Sequence, residues 1–351
     1  MSKIAIINDS HAGVKNGSDI FLDYSGRFYE NVFFPYLLKN DIKRIIHLGD
    51  YFEHRKFVNF KVLQRNYEQF IAKLEEYDIH MDIILGNHDT YFKNTNELNS
   101  VHEILRQYDN ITIYDEPTTV SYDGCDILLL PWICEDNYDR SIEAIKTSKA
   151  TILGGHLELA GFEMMRGIKS KSHGMVADLF NGYEMVLSGH FHTKSTQDNI
   201  HYLGTQYELT WSDSDDPKFF HVLDTDTRSL TPVRNPDTMF HKLVYDEDKI
   251  PEIKTSYANT YVKVVILNKK NLFTFDQWYD KLQKVAPFEI KIIESFEEYL
   301  GESVEDDEVS TSDTPTLLNS YIDSTETALN KDVLKKLMHE LYVEAQNITD
   351  I

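Results

Sequence analysis

Five short polar motifs punctuate the first 192 residues, and each directly follows an apolar, strand-like run. In order they are Asp9-Ser10-His11, Gly49-Asp50, Gly86-Asn87-His88-Asp89, Gly155-His156 and Gly189-His190-Phe191-His192. The runs ahead of the first three span residues 3–8, 44–48 and 81–85, and helical patterns at 26–39 and 60–76 separate them. In the second pattern Val62, Tyr67, Phe70, Ile71 and Leu74 recur at helical spacing. Strand, helix, strand in repetition predicts a layered α/β domain. Open α/β sheets carry their sites at the carboxyl ends of strands, which is where these motifs fall.

The next stretch is richer in strands. Residues 118–122 and 126–130 flank Asp123-Gly124, a strong hairpin signal. Short runs at 151–153 and 185–187 lead into the last two motifs, and 201–203, 219–223 and 230–233 continue the pattern. The expectation is a two-layer β-sandwich flanked by helices, with the strand order left open. Asn235-Pro236-Asp237 marks a boundary, giving a first domain over 1–238. A strand at 261–267, a helix at 275–285 and a strand at 288–293 predict a small αβ capping domain over 239–300. Residues 301–314 read as a flexible acidic linker, because Glu305-Asp306-Asp307-Glu308 among Ser and Thr cannot build a core. Residues 315–351 return to helical periodicity. Two short amphipathic helices cannot bury their apolar faces alone, so they either fold back or dock on a partner.

Every motif contains Asp, Asn or His, the oxygen and nitrogen donors of hard-to-borderline metals. The i, i+2 spacing in Asp9-x-His11 and His190-x-His192 points each pair the same way if strand geometry persists. Such pairs clamp one ion or split between two. Each motif alone is common; all five in order, at strand ends, are not.

The set resembles the calcineurin-like metallophosphoesterases, whose motifs are D-x-H, GD, GNHD, GH and GHxH. Within that family the chain resembles the nuclease subunits of SbcCD-type recombination complexes, the T-even phage branch above all. Supporting stretches are Gly49-Asp50-Tyr51-Phe52 with Arg55-Lys56, Leu130-Pro131-Trp132, Ser172-His173-Gly174 and Tyr202-Leu203-Gly204-Thr205. The resemblance implies one metal on Asp9, His11, Asp50 and His192, and a second on Asp50, Asn87, His156 and His190, with Asp50 bridging. It implies His88 facing the scissile phosphate as general acid or charge stabiliser, oriented by Asp89. The lack of thiolate ligands favours Mn²⁺, with Mg²⁺ or Fe²⁺ as alternatives, over a structural zinc site. Two bridged divalent ions and an imidazole acid meet the needs of phosphodiester hydrolysis without a covalent intermediate. The implied activities are 3′→5′ exonuclease on duplex DNA and endonuclease on single strands. The implied partners are DNA, a second copy of the chain, and an ABC-type coiled-coil ATPase that takes the C-terminal helices in a groove. Alternatives are a phosphoesterase of nucleotides or phosphoproteins, and a non-catalytic scaffold.

One departure stands out. Several cellular relatives place a substrate-contacting histidine three positions after the bridging aspartate; here that position is Glu53, with His54 next. Either His54 substitutes or it is a surface residue, and Glu53 is an alternative that reaches a metal-bound water. Arg55, Lys56, Arg166, Lys169, Lys171 and His173 are candidate DNA contacts, or ordinary solvated loop residues. His47, Trp132 and Trp211 read as packing residues.

The formal net charge of −23 presses against a nuclease, since simple DNA binders carry a basic face. Part of the objection is local: residues 294–313 hold nine acids and no Lys or Arg, and the tail has six acids against three lysines. Two cysteines, Cys125 and Cys134, fit a reducing compartment. No apolar run approaches the roughly 20 residues of a membrane helix, and the polar N-terminus is too short for a signal segment. The expected location is the cytoplasm, that of the host if the chain is phage-encoded.

Overall fold

The computed structural model describes residues 3–165, 168–170, 175–294, 322, 331 and 334–336. The expected acidic linker and most of the helical tail lie outside these residues. The chain divides into two compact units, residues 1–209 with 213–240, and residues 210–212 with 241–351.

The first unit holds fourteen described strands. They are β1 (Lys3–Ile7), β2 (Arg44–Leu48), β3 (His80–Ile84), β4 (Ile111–Tyr114), β5 (Thr118–Tyr122), β6 (Cys125–Leu130), β7 (Ile152–Gly155), β8 (Glu163–Met165), β9 (Ile168–Lys169), β10 (Met185–Ser188), β11 (Ser195–Gln197), β12 (Ile200–Tyr202), β13 (Phe219–Asp224) and β14 (Leu230–Arg234). One six-stranded sheet runs β14-β13-β1-β2-β3-β4, and the other runs β11-β12-β10-β7-β6-β5. β1 to β4 run parallel in the first sheet, as do β6, β7, β10 and β12 in the second. Antiparallel strands β13 and β14 close one edge of the first sheet, whose other edge is the parallel β4, and β5 and β11 close the two edges of the second. The expected two-layer sandwich is therefore present.

Continuous apolar strands make it so, because each inner strand buries both faces. In β6, Ile127 and Leu129 join Ile4, Ile46, Ile84, Ile152 and Leu187 in a core that draws on both sheets. Leu128 and Leu130 point the other way, into a second core with Ile145 and Phe180. Ile145 lies on the helix Tyr138–Thr147, so that core covers the outer face of the second sheet. On the outer side of the first sheet, Phe33 meets Phe220 with ring centroids 5.0 Å apart. Asp123 and Gly124 turn the β5–β6 hairpin with φ of 51° and 86°, the left-handed pair that such a turn requires.

The 60–76 pattern is realised as contiguous segments Phe60–Asn66, Tyr67–Ile71 and Ala72–Glu76, with the Asn59 side chain capping the start. The helix expected over 26–39 begins earlier, running Asp19–Phe28, Tyr29–Phe33 and Phe34–Lys39. Gly26 lies inside it, where a Cβ would come 2.4 Å from the end of the Gln69 side chain. Five strands were not anticipated in the sequence: β4, β8, β9, β11 and Phe240–Asp246 (β15).

Glu208 fastens the end of this unit. It is 1% exposed, and its Oε2 accepts from the backbone N–H of Met239 (2.6 Å) and Phe240 (2.9 Å). Burial outweighs these donors and pushes its pKa up to about 7. A carboxyl raised above its unfolded value contributes stability that is full below the ordinary pKa and lost as pH rises through about 7. Glu208→Gln keeps an acceptor without the charge. It is expected to be more stable than wild type at pH 8.5, by about 2–3 kcal/mol, and close to it at pH 5. Parallel melting curves of the two proteins against pH would sink this account.

In the second unit β15 pairs with Tyr261–Asn268 (β16), and β16 runs parallel to Glu289–Ile293 (β17). The crossover is the helix Leu272–Lys284, whose start Asn271 caps by accepting from Phe273 and Thr274. Its Phe275, Trp278 and Leu282 pack on Tyr245, Val262 and Val264.

Candidate metal centre

The five motifs leave the carboxyl ends of β1, β2 and β3 in one sheet and β7 and β10 in the other. Three groups of potential ligand atoms result, each within 4.8 Å: Asp9 with His11 and His192, Asp50 with His156 and His190, and His11 with Glu53 and His88. In the first, the Nε2 atoms of His11 and His192 are 3.3 Å apart. In the second, Asn87 Oδ1 lies 3.0 Å from His156 Nε2 and 2.9 Å from His190 Nδ1. Asp50 stands between these two groups, its Oδ2 3.7 Å from His11 Nε2 and 3.3 Å from His156 Nε2. Buried oxygen and nitrogen donors in two adjacent groups, with no cysteine in either, fit a pair of divalent cations.

The pleat does not aim these side chains. β1 ends at Ile7 and β10 at Ser188, and Asp9, His11, Asp50 and His190 have φ of 47°, 42°, 54° and 82°. Left-handed backbone at non-glycine residues is costly and concentrates where side chains must be placed for function. So the strand alternation expected for Asp9-x-His11 and His190-x-His192 does not persist, and His190 and His192 enter different groups. Hydrogen bonds between loops hold the strained residues. Asp9 N–H donates to the Gly49 carbonyl and His11 N–H to the Asp50 carbonyl. His190 N–H donates to the Asp9 carboxylate, and His88 N–H to Asp50 Oδ1 at 2.8 Å. His156 Nδ1 lies 2.8 Å from the Leu48 carbonyl, which fixes the tautomer that leaves Nε2 facing Asp50. At Gly86 any Cβ would sit 2.1 Å from Asp50 Oδ1, so only glycine lets the β3 loop pass.

Burial opposes a charged His11, but Glu53, Asp50 and Asp9 outweigh it and hold its pKa up at about 10. Burial likewise opposes a charged His156, and Asp50 reverses that, to about 9. Burial and the neighbouring His156 push His190 well below the usual imidazole range. Burial and His11 lower His192. Against the cost of burial, His156 and His88 hold the Asp50 carboxyl well below the ordinary range.

Two residues do not take the positions expected of them. Asp89 does not orient His88. Its carboxylate is fully buried and accepts from the backbone of Tyr51 (3.0 Å), Phe52 (3.2 Å) and Gly86 (2.8 Å), so it ties the β2 and β3 loops together. His88 Nδ1 instead meets the Glu53 carbonyl at 2.7 Å. His54 stays outside all three groups and stacks on Phe57, with centroids 4.6 Å apart. Glu53 enters instead, its Oε2 2.7 Å from His11 Nδ1. Arg55 is half-buried, and Lys56 reaches over the exposed Tyr91 ring at 5.8 Å. Lys169 lies on β9, while Arg166, Lys171 and His173 fall outside the described residues. His47 is buried, 2.8 Å from Ser10 Oγ, and burial pushes its pKa down to about 3. Cys125 and Cys134 are free and buried.

Two residues near the site gave little signal in the sequence. Trp132 packs against both His156 and His190, with centroids at 6.0 and 5.4 Å. Lys218, 3% exposed, donates to the His192 carbonyl at 3.0 Å and bonds Asp213 and Asp216.

The family model for calcineurin-like phosphoesterases matches residues 2–194, the stretch that contains all five motifs. The chain belongs to the calcineurin-like phosphoesterases. It is also 35% identical over 350 residues to exonuclease subunit 1 of Enterobacteria phage T4, covering 98% of this chain and 99% of that protein. Similar solved structures are more distant. A structure described as a novel archaeal phosphodiesterase shares 14% identity at a TM-score of 0.33, covering 66% of this chain and 99% of its own. The protein TT1561 of Thermus thermophilus shares 13% identity at a TM-score of 0.40, covering 66% of this chain and 98% of its own.

Proposed function

We propose that this calcineurin-like phosphoesterase is the nuclease subunit of an SbcCD-type DNA repair and recombination complex, cleaving phosphodiester bonds with two divalent cations, Mn²⁺ or Mg²⁺. The observation that carries the reading is the end-to-end likeness to a phage exonuclease subunit in a chain whose five motifs converge on one site. Asp9, His11, Asp50 and His192 would hold one cation, and Asp50, Asn87, His156 and His190 the other. When bound, the pair would neutralise phosphate oxygens and lower the pKa of a water at neutral pH.

The remaining work falls to the chain. With Nδ1 held on the Glu53 carbonyl, His88 has Nε2 as the atom to carry a proton to the leaving oxygen. Trp132 packs on His156 and His190 and limits their rotation. Asp89 keeps the loops bearing Asp50 and His88 in register through its three backbone contacts. The proposed activities are 3′→5′ exonuclease on duplex DNA and endonuclease on single strands. The proposed assembly is a homodimer whose C-terminal helices, in 315–351, dock on an ABC-type coiled-coil ATPase. Among the described residues no helix is long and apolar enough to cross a membrane, and the proposed location is the host cytoplasm. A net charge of −23 makes tight autonomous binding to phosphates unfavourable, so the subunit is expected to be weak alone and dependent on cation and partner.

The test is Mn²⁺-dependent degradation of a labelled duplex by protein co-purified with the ATPase, with and without ATP. Bis-p-nitrophenyl phosphate serves as a small substrate in parallel. Duplex degradation that depends on Mn²⁺ and is strengthened by the ATPase is the expected result. Turnover of the small ester with no DNA degradation, even with the partner present, would overturn the nuclease assignment.

A further inference from the structure

We infer that Glu53 is a positioning residue that sets two histidines of the site at once, His11 through its side chain and His88 through its backbone. The inference rests on the metal-dependent function proposed above. The loop after β2 is stitched to the loop after β1: Ala12 N–H donates to the Tyr51 carbonyl at 2.8 Å, and Glu53 N–H donates to the Ala12 carbonyl at 3.1 Å. Glu53 is therefore held at a fixed distance from His11. Its carboxylate lies 2.7 Å from His11 Nδ1, an ion-pair contact rather than an in-line hydrogen bond. Its carbonyl lies 2.7 Å from His88 Nδ1. The two imidazoles meet edge to face, 4.8 Å apart at 84°.

An imidazole that binds a cation offers one nitrogen, and the group on the other nitrogen decides which one. With Nδ1 occupied, His11 offers Nε2, which faces His192 Nε2 at 3.3 Å and Asp50 Oδ2 at 3.7 Å. His88 likewise keeps Nδ1 on a carbonyl and leaves Nε2 for the proton. The side chain thus serves a ligand and the main chain serves a proton carrier. A side-chain substitution separates them.

Mn²⁺ binding to the full chain, read by titration calorimetry and by the electron paramagnetic resonance of free Mn²⁺, tests this. Wild type is expected to bind two ions. In Glu53→Ala one site is expected to weaken about 10–100-fold while the other keeps its affinity. Glu53→Gln, which still offers an oxygen to Nδ1 but not the charge, is expected to lose less than Glu53→Ala. Melting in EDTA shows that both variants fold; Glu53→Ala is expected to melt somewhat lower than wild type, because Glu53 is the main group that holds the buried His11 charged. Long-range ¹H–¹⁵N correlations should still show His88 protonated at Nδ1 in Glu53→Ala. Wild-type affinity at both sites of Glu53→Ala would overturn the inference, as would a loss in Glu53→Gln equal to that in Glu53→Ala. A wild-type chain that binds no Mn²⁺ would overturn the metal-dependent function itself, and this inference with it.

Discussion

Replacing His88 with Ala is expected to slow cleavage of duplex DNA by about 10²–10⁴-fold while two Mn²⁺ ions still bind. The size follows from the role. A 3′ or 5′ oxygen leaving DNA is strongly basic and needs a proton as the bond breaks. His88 is half-buried at the edge of the site, with Nδ1 held by the Glu53 carbonyl and its backbone N–H on Asp50 Oδ1. The Ala variant keeps that backbone bond, so Asp50 and the ions it holds should stay in place. The discriminating measurement is the leaving group. p-Nitrophenolate departs without a proton, so bis-p-nitrophenyl phosphate should be hydrolysed by His88→Ala far better than DNA is, relative to wild type. Single-turnover rates on both substrates make the comparison. Equal losses on the two esters would mean that His88 stabilises charge or shapes the site rather than donating a proton. Unchanged DNA cleavage would remove His88 from the mechanism.

Much of this architecture could be read from the chain because its signals are local and redundant. β6 reads Ile127, Leu128, Leu129 and Leu130 without a polar break, which states directly that both its faces are covered. Asp123-Gly124 specifies its turn by backbone chemistry alone. The positions of the five motifs followed from apolar runs that stop at Asp, Asn or His. What the sequence concealed has a common cause: the partner was distant or was main chain. A carbonyl leaves no mark on composition, so the family resemblance put Asp89 forward as the partner of His88, although the Glu53 carbonyl holds it. Left-handed φ at Asp9 and His11 cannot be inferred from residues that are not glycine, and it cancels the alternation on which the pair was read. β15 was hidden for a different reason: its buried residues Phe240, Leu243 and Tyr245 do not keep a clean period of two.

Lys218→Met is expected to cost about 3–5 kcal/mol, lowering Tm by roughly 10 °C. In the sequence Lys218 is one charge among Asp213, Asp215 and Asp216, and nothing marks it as interior. In the fold it is 3% exposed, and its ammonium donates to Asp213 Oδ1 (2.6 Å), Asp216 Oδ2 (2.9 Å) and the His192 carbonyl (3.0 Å). Burial alone would lower its pKa, yet Asp213 and Asp216 raise it above the ordinary lysine value. Burial would raise Asp213, and Lys218 reverses that as well. Each ion is thus tolerated in the interior because of the other. Removing the lysine takes the main counter-charge from the Asp213 carboxylate, 2% exposed, while the Leu209 N–H still donates to it at 2.9 Å. Most of the predicted loss is this stranded charge, and the double variant tests that claim. Lys218→Met with Asp213→Asn should be more stable than Lys218→Met alone, because the carboxylate goes with its partner. The site should respond too, since the His192 carbonyl loses its anchor while the ring stays 3.3 Å from His11. Weaker Mn²⁺ binding at one of two sites is the expected companion to the lower Tm. A Tm within a degree or two of wild type would show that water replaces the ammonium. A double variant no better than the single would show that lost packing, not stranded charge, is the cost.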